Sequence, residues 1–200
     1  MTTSVLATPT TAHSVDRATA TLVTAFGADP VIRWLYPAAS GYLTYFPELV
    51  GLVSGQAFAA GTADGVEDGA GAALWLPPDA HPDEDALVEL LGRSVDPDRH
   101  EDVVGFLGQM AEHHPTQPCW HLPFIGVDPS RQGQGLGSML LERGAARCDR
   151  DHLPAYLEAS TPGNRALYER HGFTVVGEIR TGDSPPLWPM LRPPADRRSS

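Results

Sequence analysis

The chain has 200 residues, 42% of them hydrophobic, and a formal net charge of −11, enough apolar content to bury one substantial core; the expectation is a single domain over 1–193 with a disordered tail, 194–200. All 14 basic residues are arginine, so the lysine that Schiff-base and P-loop chemistries require is absent. The acidic balance disfavours nucleic-acid binding and suits a cationic partner, although an acidic surface also serves solubility alone.

Two cysteines, Cys119 and Cys148, are too few for a disulfide framework. The opening MTTSVLATPTTAH has neither the basic nor the long apolar part of a secretory leader. No run approaches the ~18 apolar residues of a membrane span. The expectation is a cytoplasmic protein with no membrane partner, monomeric or homodimeric.

In chain order, Val15, Ala18, Leu22 and Phe26 recur at helical spacing behind Ser14 as N-cap, and GADP stops that pattern. A second helical region lies between Pro37 and Gly61, interrupted or restarted at Pro47. GTADGVEDG holds at most one weak strand and a turn, and AGAALWL (Ala70 to Leu76) reads as a buried strand stopped by Pro77 and Pro78. Two helices divided near DPDRH follow between Asp83 and His114. CWHLPFIGV then reads as a strand, GLGSMLLERGAARCDRD as a helix, PAYLEAS as a strand and GNRALYERHGF as a short helix with Gly172 at its C-terminal cap. FTVVGEI and PLWPML complete the pattern as two strands about the turn TGDSPP, and RPPADRRSS is expected to be disordered.

Chemistry concentrates in the strand-to-helix passage FIGVDPSRQGQGLGS. Gly133, Gly135 and Gly137 allow positive φ and close backbone approach, and the free amides of a helix start attract a phosphate or pyrophosphate. The spacing approximates a dinucleotide fingerprint with Glu158 as its acidic residue, but the context differs. Five residues, DPSRQ, separate the strand from the first glycine, and only 42 residues follow Glu158. Pro123 inside the preceding strand removes a ladder donor, so that strand either bends at an edge or parts from a neighbour and exposes backbone groups to an amide-bearing ligand. Coenzyme A combines a pyrophosphate with such an arm.

These residues resemble the GNAT superfamily of acyl-CoA-dependent N-acyltransferases. Gln132-Gly133-Gln134-Gly135-Leu136-Gly137 matches its pyrophosphate motif, and NRALYERHGF its later Asn…Tyr-x-x-x-Gly-Phe segment. More narrowly, ALWLPP, GVDPSRQGQGLGS, PAYLEASTPGNRALYERHGF and PLWPMLRPP resemble the branch containing puromycin N-acetyltransferase. The resemblance implies an α+β fold: a mixed, mostly antiparallel sheet split between two central strands and flanked by helices, with the two helices of 83–114 as an insertion.

It also implies roles. Acetyl-CoA is the donor; backbone groups of Ile125, Gly126 and Val127 pair with its pantetheine arm. Amides of Gln132, Gly133, Gln134, Gly135, Leu136, Gly137 and Ser138 surround the pyrophosphate, and Arg131 reaches a phosphate. Asn164 hydrogen-bonds the pantetheine region, and the Tyr168 hydroxyl lies by the sulfur. A phenol, which ordinarily titrates near pH ~10, is a suitable acid toward a thiolate whose conjugate thiol titrates near ~8.5, and the Val127 N–H is a candidate oxyanion donor.

Glu158, at a strand end, accepts the amine's proton or binds the ammonium; serving the N-terminus of the next helix explains it equally. Trp34, Tyr36 and Trp75 are candidate pocket aromatics, although such residues are more often core. His113-His114 lacks further ligands at recognisable spacing, so no metal is expected. The leading reading is acetyl transfer to a small-molecule amine, antibiotic-like by the narrower resemblance. Acetylation of a protein N-terminus or lysine, and a non-catalytic acyl-CoA-binding module, are the alternatives.

Overall fold

In the computed structural model, which describes residues 12–66 and 69–195, the first three by their backbone, helix α1 covers Ala12–Ala25. Ser14, the expected cap, lies two residues inside it. Helix α2 (Pro30–Leu35) follows where the sequence reading placed only a stop. Asp29 accepts hydrogen bonds from the Val31 and Ile32 amides, both 3.0 Å, and Pro30 occupies the first helical position, where its missing N–H costs nothing. The GADP that ends one helix therefore starts another.

Helix α3 runs unbroken over Ala39–Ala59 with Pro47 inside it, correcting the expected interruption. Phe46, Leu49 and Val50 around the proline are buried. Burying them offsets the single helical hydrogen bond that proline removes. Strands β1 (Ala63–Val66) and β2 (Gly71–Leu76) follow, then helices α4 (Glu84–Ser94) and α5 (His100–His113) divided by a 3₁₀ turn at Pro97–Arg99. Strand β3 (Trp120–Val127), helix α6 (Leu136–Asp151), strand β4 (Ala155–Ala159) and helix α7 (Pro162–Arg170) form the next stretch, and strands β5 (Thr174–Val175) and β6 (Trp188–Arg192) close the chain.

The six strands make one sheet in the order β1-β2-β3-β4-β6-β5, antiparallel except where β3 meets β4. That central parallel pair joins only Trp120–Leu122 to Ala155–Leu157. This is the split expected of the fold. On β2 one residue, Trp75, separates Leu74 from Leu76, whereas on β3 both Leu122 and Pro123 separate Phe124 from the partner of Leu76, His121. The extra residue is a bulge; it bends β3 away from β4 at the proline that has no N–H to give the ladder.

Alternation along β2 sorts its side chains between two cores. Leu74 and Leu76 join Leu22, Phe46 and Val50 beneath α1 and α3. Trp75 joins Leu140, Leu141 and Leu157 beneath α6.

Two expectations at the C-terminal end are corrected. FTVVGEI yields only the two residues of β5, and just beyond it the side chain of Gln109 on α5 takes both the N–H and the C=O of Arg180, tying that residue to the helix. The chain returns to the sheet at the Ile179–Leu187 bridge. Residues 192–195 of RPPADRRSS are held rather than disordered: Arg192 lies in β6 with its guanidinium on both oxygens of Asp149 (2.7 and 2.9 Å), and the Ala195 amide donates to the same carboxylate at 2.7 Å. Residues 196–200 lie outside the described residues.

Candidate active site

The departure of β3 from β4 leaves one edge of residues 123–127 without a strand partner. The Asp128 amide donates to the Ala70 carbonyl at 2.8 Å, one step beyond the Gly71–Val127 pair. Ladder bonds alternate, so Phe124 and Gly126 direct their backbone groups at β2, and Ile125 and Val127 direct theirs to the edge that β4 has left. That edge forms one wall of a cavity of about 570 Å³.

The glycine loop forms the floor. Asp128 accepts from the amide and hydroxyl of Ser130 (2.8 and 2.7 Å), holding a 3₁₀ turn at Pro129–Arg131. Gly133 and Gly135 then adopt φ of +76° and +83°, a region in which a side chain is strained. α6 starts from Gly135 with no side-chain cap and no acidic residue in its first turn, whereas α2, α4 and α7 are capped by Asp29, Asp83 and Thr161. Uncapped first-turn amides at the positive end of a 16-residue helix are a ready anion site. Open edge, glycine cradle and uncapped helix together fit the amide arm and pyrophosphate of coenzyme A.

Helix α7 closes the opposite side. The Thr161 hydroxyl accepts from the Asn164 amide (3.1 Å), and His171 Nε2 sits 3.1 Å from Ser138 Oγ, tying the end of α7 to the first turn of α6. Asn164 and Tyr168 line the cavity from this helix. Tyr168 is buried, and burial, with smaller contributions from the charges of Asp29 and Glu158, pushes its phenol pKa well above the ordinary value. The group therefore holds its proton at neutral pH.

A second cavity, of about 280 Å³, meets the first at Phe26, Asp29, Ile125, Asn164 and Tyr168. Its walls are apolar, with Val31 and Trp34 from α2, Leu91 from α4, Phe106 and Met110 from α5, and Leu187. The polar exceptions sit together. Glu158, near the end of β4, has an oxygen 3.3 Å from His121 Nε2, and Asp29 accepts from the Ser160 hydroxyl. Burial raises the Asp29 pKa against the lowering by its hydrogen bonds.

All the residues expected at the coenzyme line the first cavity except Gln134, whose side-chain oxygen instead accepts from Arg131 Nε at 3.1 Å. Of the expected acceptor-side residues, Glu158 and Trp34 line the second cavity. The Trp34 ring packs 5.2 Å from Phe106, lies under the Arg99 guanidinium, and donates its N–H to Asp183 at 2.8 Å. Tyr36 and Trp75 do not line it. Tyr36 is 2% exposed, with its hydroxyl 3.3 Å from Ser94 Oγ, inside the core beneath α3. Trp75 is fully buried on the opposite face of the sheet, its ring so close over Gly144 that a Cβ there would meet it at 2.0 Å. Strand alternation, which sends Trp75 the other way from Leu74, is the physical reason.

Sequence reasoning missed Asp29, Ser160 and His121. The Asp-Pro pair at 29–30 carries the signal of a capped helix start, which would have placed Asp29 at a fixed position before α2. His121 stands two residues before the proline bulge and has no such mark.

Residues 95–175 match the acetyltransferase (GNAT) domain family model. An uncharacterized N-acetyltransferase of Schizosaccharomyces pombe is 38% identical over 78 residues, which cover 38% of this chain and 32% of that protein. The match thus spans about a third of that relative's length. Over the whole fold, the chain is similar to the histone acetyltransferase HPA2 and related acetyltransferase of Corynebacterium glutamicum, with 27% identity, a TM-score of 0.66, and coverage of 97% of this chain and 98% of that one. The arylalkylamine N-acetyltransferase 2 of Aedes aegypti shares the fold at 16% identity and a TM-score of 0.67, covering 95% of this chain and 99% of its own. The chain has the GNAT fold, and its residues 95–175 resemble the acetyltransferase domain of that family.

Proposed function

We propose that this GNAT-fold chain transfers the acetyl group of acetyl-CoA to the amine of a small molecule with an apolar body. The observation that carries the reading is the meeting of two unlike cavities, one lined by backbone amides and the other by hydrocarbon, at Tyr168 and Asn164 with carboxylates alongside. A volume of about 280 Å³ suits one small organic body. The narrower resemblance to the puromycin N-acetyltransferase branch agrees with an antibiotic-like amine of that shape.

Acetyl-CoA supplies an activated thioester. The chain's own groups do the rest. Glu158 takes a proton from the ammonium, directly or through a bridging group, and leaves the nitrogen lone pair free to attack. It stands where an amine in the apolar cavity presents its charged end, and the surrounding hydrocarbon strengthens that attraction by excluding water. The Val127 N–H, without a strand partner on its edge, donates to a carbonyl oxygen that gains negative charge. Tyr168, kept protonated by burial, supplies a proton to the departing thiolate. Asn164 fixes the donor arm between the two cavities, so that the reacting atoms are held rather than found by diffusion.

Incubation with acetyl-CoA and a mixed panel of arylalkylamines, polyamines and lysine-bearing peptides, followed by mass detection of acetylated products, tests the reading. Acetylation of the arylalkylamines ahead of the peptides is expected; acetylated peptides alone would overturn it. The absence of lysine from the chain removes side-chain self-acetylation as a background.

A further inference from the structure

A third cavity, of about 280 Å³, lies between the proline-rich segments 77–82 and 114–118. It shares His121 and Pro82 with the apolar acceptor cavity. His121 is thus a wall common to both. On the acceptor side its Nε2 lies 3.3 Å from Glu158 Oε2. The His114 ring, which also lines the third cavity, packs edge-on 5.2 Å from the His121 ring.

The side chain of Glu158 is 9% exposed and that of His121 18%, whereas His114 is exposed. A proton taken up by Glu158 therefore has little direct contact with solvent, and each turnover must dispose of one. We propose that His121 relays the amine's proton out of the acceptor cavity, from Glu158 to the proline-walled cavity where His114 receives it. The proposal rests on the reading of Glu158 as the base.

The protons balance over the cycle: of the two that the ammonium nitrogen loses, the one shed after attack replaces the proton Tyr168 gives the thiolate, and the other leaves through Glu158. The ammonium N–H bond breaks, its electron pair staying on nitrogen, and an O–H bond forms on Glu158. That proton passes to His121 Nε2 in the tautomer that carries its hydrogen on Nδ1, restoring the carboxylate, and Nδ1 releases its own proton into the third cavity. The His114 Nδ1 lies 3.2 Å from the Pro115 carbonyl, which makes Nδ1 the donor and leaves Nε2 to accept. Partial desolvation of the ring first, then the neighbouring His121, lowers the His114 pKa, so the ring is neutral when it receives the proton and passes it readily to solvent.

The other groups around the pair do not compete. Tyr156, 4.9 Å from His114 and 5.4 Å from His121 between ring centroids, has its phenol pKa pushed up by burial first and then by the neighbouring Glu158. Burial also pushes the Cys119 thiol up to about 11. Both stay protonated at neutral pH. His81 lines the third cavity beyond the pair and extends the route outward; Asp29, on the donor side of the acceptor cavity, is held by Ser160 and by two helix amides. The other side chains lining that cavity, five prolines, Thr116 and Gln117 among them, offer no base, so the imidazoles are its proton carriers. Among the described residues no three His, Cys, Asp or Glu side chains are grouped to hold a metal ion.

The test uses His121→Asn and, as a change nearer the surface that disturbs folding less, His114→Asn. In a weak, non-nucleophilic buffer the first variant should lose about tenfold in kcat, within what acid–base groups contribute, and the second a smaller factor. Added imidazole should restore rate in both in a concentration-dependent way, with a solvent deuterium isotope effect larger than in the parent protein and the KM for acetyl-CoA unchanged. Parent-like rates in both variants, or lowered rates that neither imidazole nor deuterium alters, would overturn the relay. Glu158→Gln, measured beside them, separates the two levels. Retained activity in that variant defeats the base reading and the relay with it; lost activity with parent-like histidine variants defeats the relay alone.

Discussion

The donor and acceptor cavities touch at five residues yet are built by opposite means. The donor cavity faces α7 with backbone: an abandoned strand edge, two glycines at positive φ and an uncapped helix start, all within residues 123–138. The acceptor cavity is made of side chains gathered from α2, α3, α4, α5, β3, β4 and Leu187. Backbone recognition demands particular residues at particular places, because only glycine tolerates the loop geometry and only a missing ladder partner frees the edge. Hydrocarbon walls demand volume and apolarity, which many residues satisfy. One cavity is therefore fixed by local chain geometry and the other by how distant elements pack.

The sharpest break between the two should come from Glu158→Gln, which removes a base from the acceptor side while keeping its shape. Amine kcat/KM should fall on the order of a hundredfold, and the Kd for acetyl-CoA, measured by calorimetry, should hold within about twofold. Tyr168→Phe, at the junction, should lower kcat on the order of tenfold or more with little effect on either KM. Its pH profile carries a sign. Burial penalises the phenolate and raises the pKa, so the protonated acid persists further into alkali than in an exposed tyrosine, and any alkaline loss of kcat due to this group should lie above pH ~10. An alkaline limb between pH ~8 and ~9 that disappears in Tyr168→Phe would contradict that placement.

Gly135→Val challenges the donor side through conformation alone. A β-branched residue at φ +83° costs about 1–2 kcal/mol, which should raise the KM for acetyl-CoA about tenfold if the loop shifts to relieve it, leaving amine preference intact. The smallest kinetic effect belongs to Trp75→Phe. Its ring lies on the far face of the sheet, and its indole N–H has no hydrogen-bond partner among the described residues. Losing that orphaned donor offsets part of the lost packing, so Tm should drop by no more than about 4 °C, with both KM values unchanged.

The same contrast explains what the sequence made legible. The glycine loop, Pro123 and the Asn164–Tyr168 helix could be read directly, because each demands a residue type at a fixed local spacing. Trp34, Tyr36 and Trp75 looked alike as pocket-or-core aromatics, and only packing separates them: Trp34 turns from α2 into the acceptor cavity, Tyr36 goes beneath α3 and Trp75 goes beneath α6. Asp29 was passed over with the stop GADP although an Asp-Pro pair marks a helix start, and its place at the junction depends on Ser160, 131 positions away, reaching its carboxylate. His121 meets Glu158 because β3 and β4 run parallel for just three residues before the bulge. No local pattern encodes that meeting.

The central claim is that the two cavities form one continuous path, with hydrocarbon recognition beginning where backbone recognition ends. The most direct measurement is the Kd of a conjugate in which coenzyme A is joined through an acetyl bridge to 2-phenylethylamine, set against coenzyme A alone. The conjugate fills both cavities and should bind about a hundredfold tighter or better, as mimics spanning both reactants do. Equal affinity for the two would show that the apolar cavity takes no part in binding the acceptor and would contradict the account.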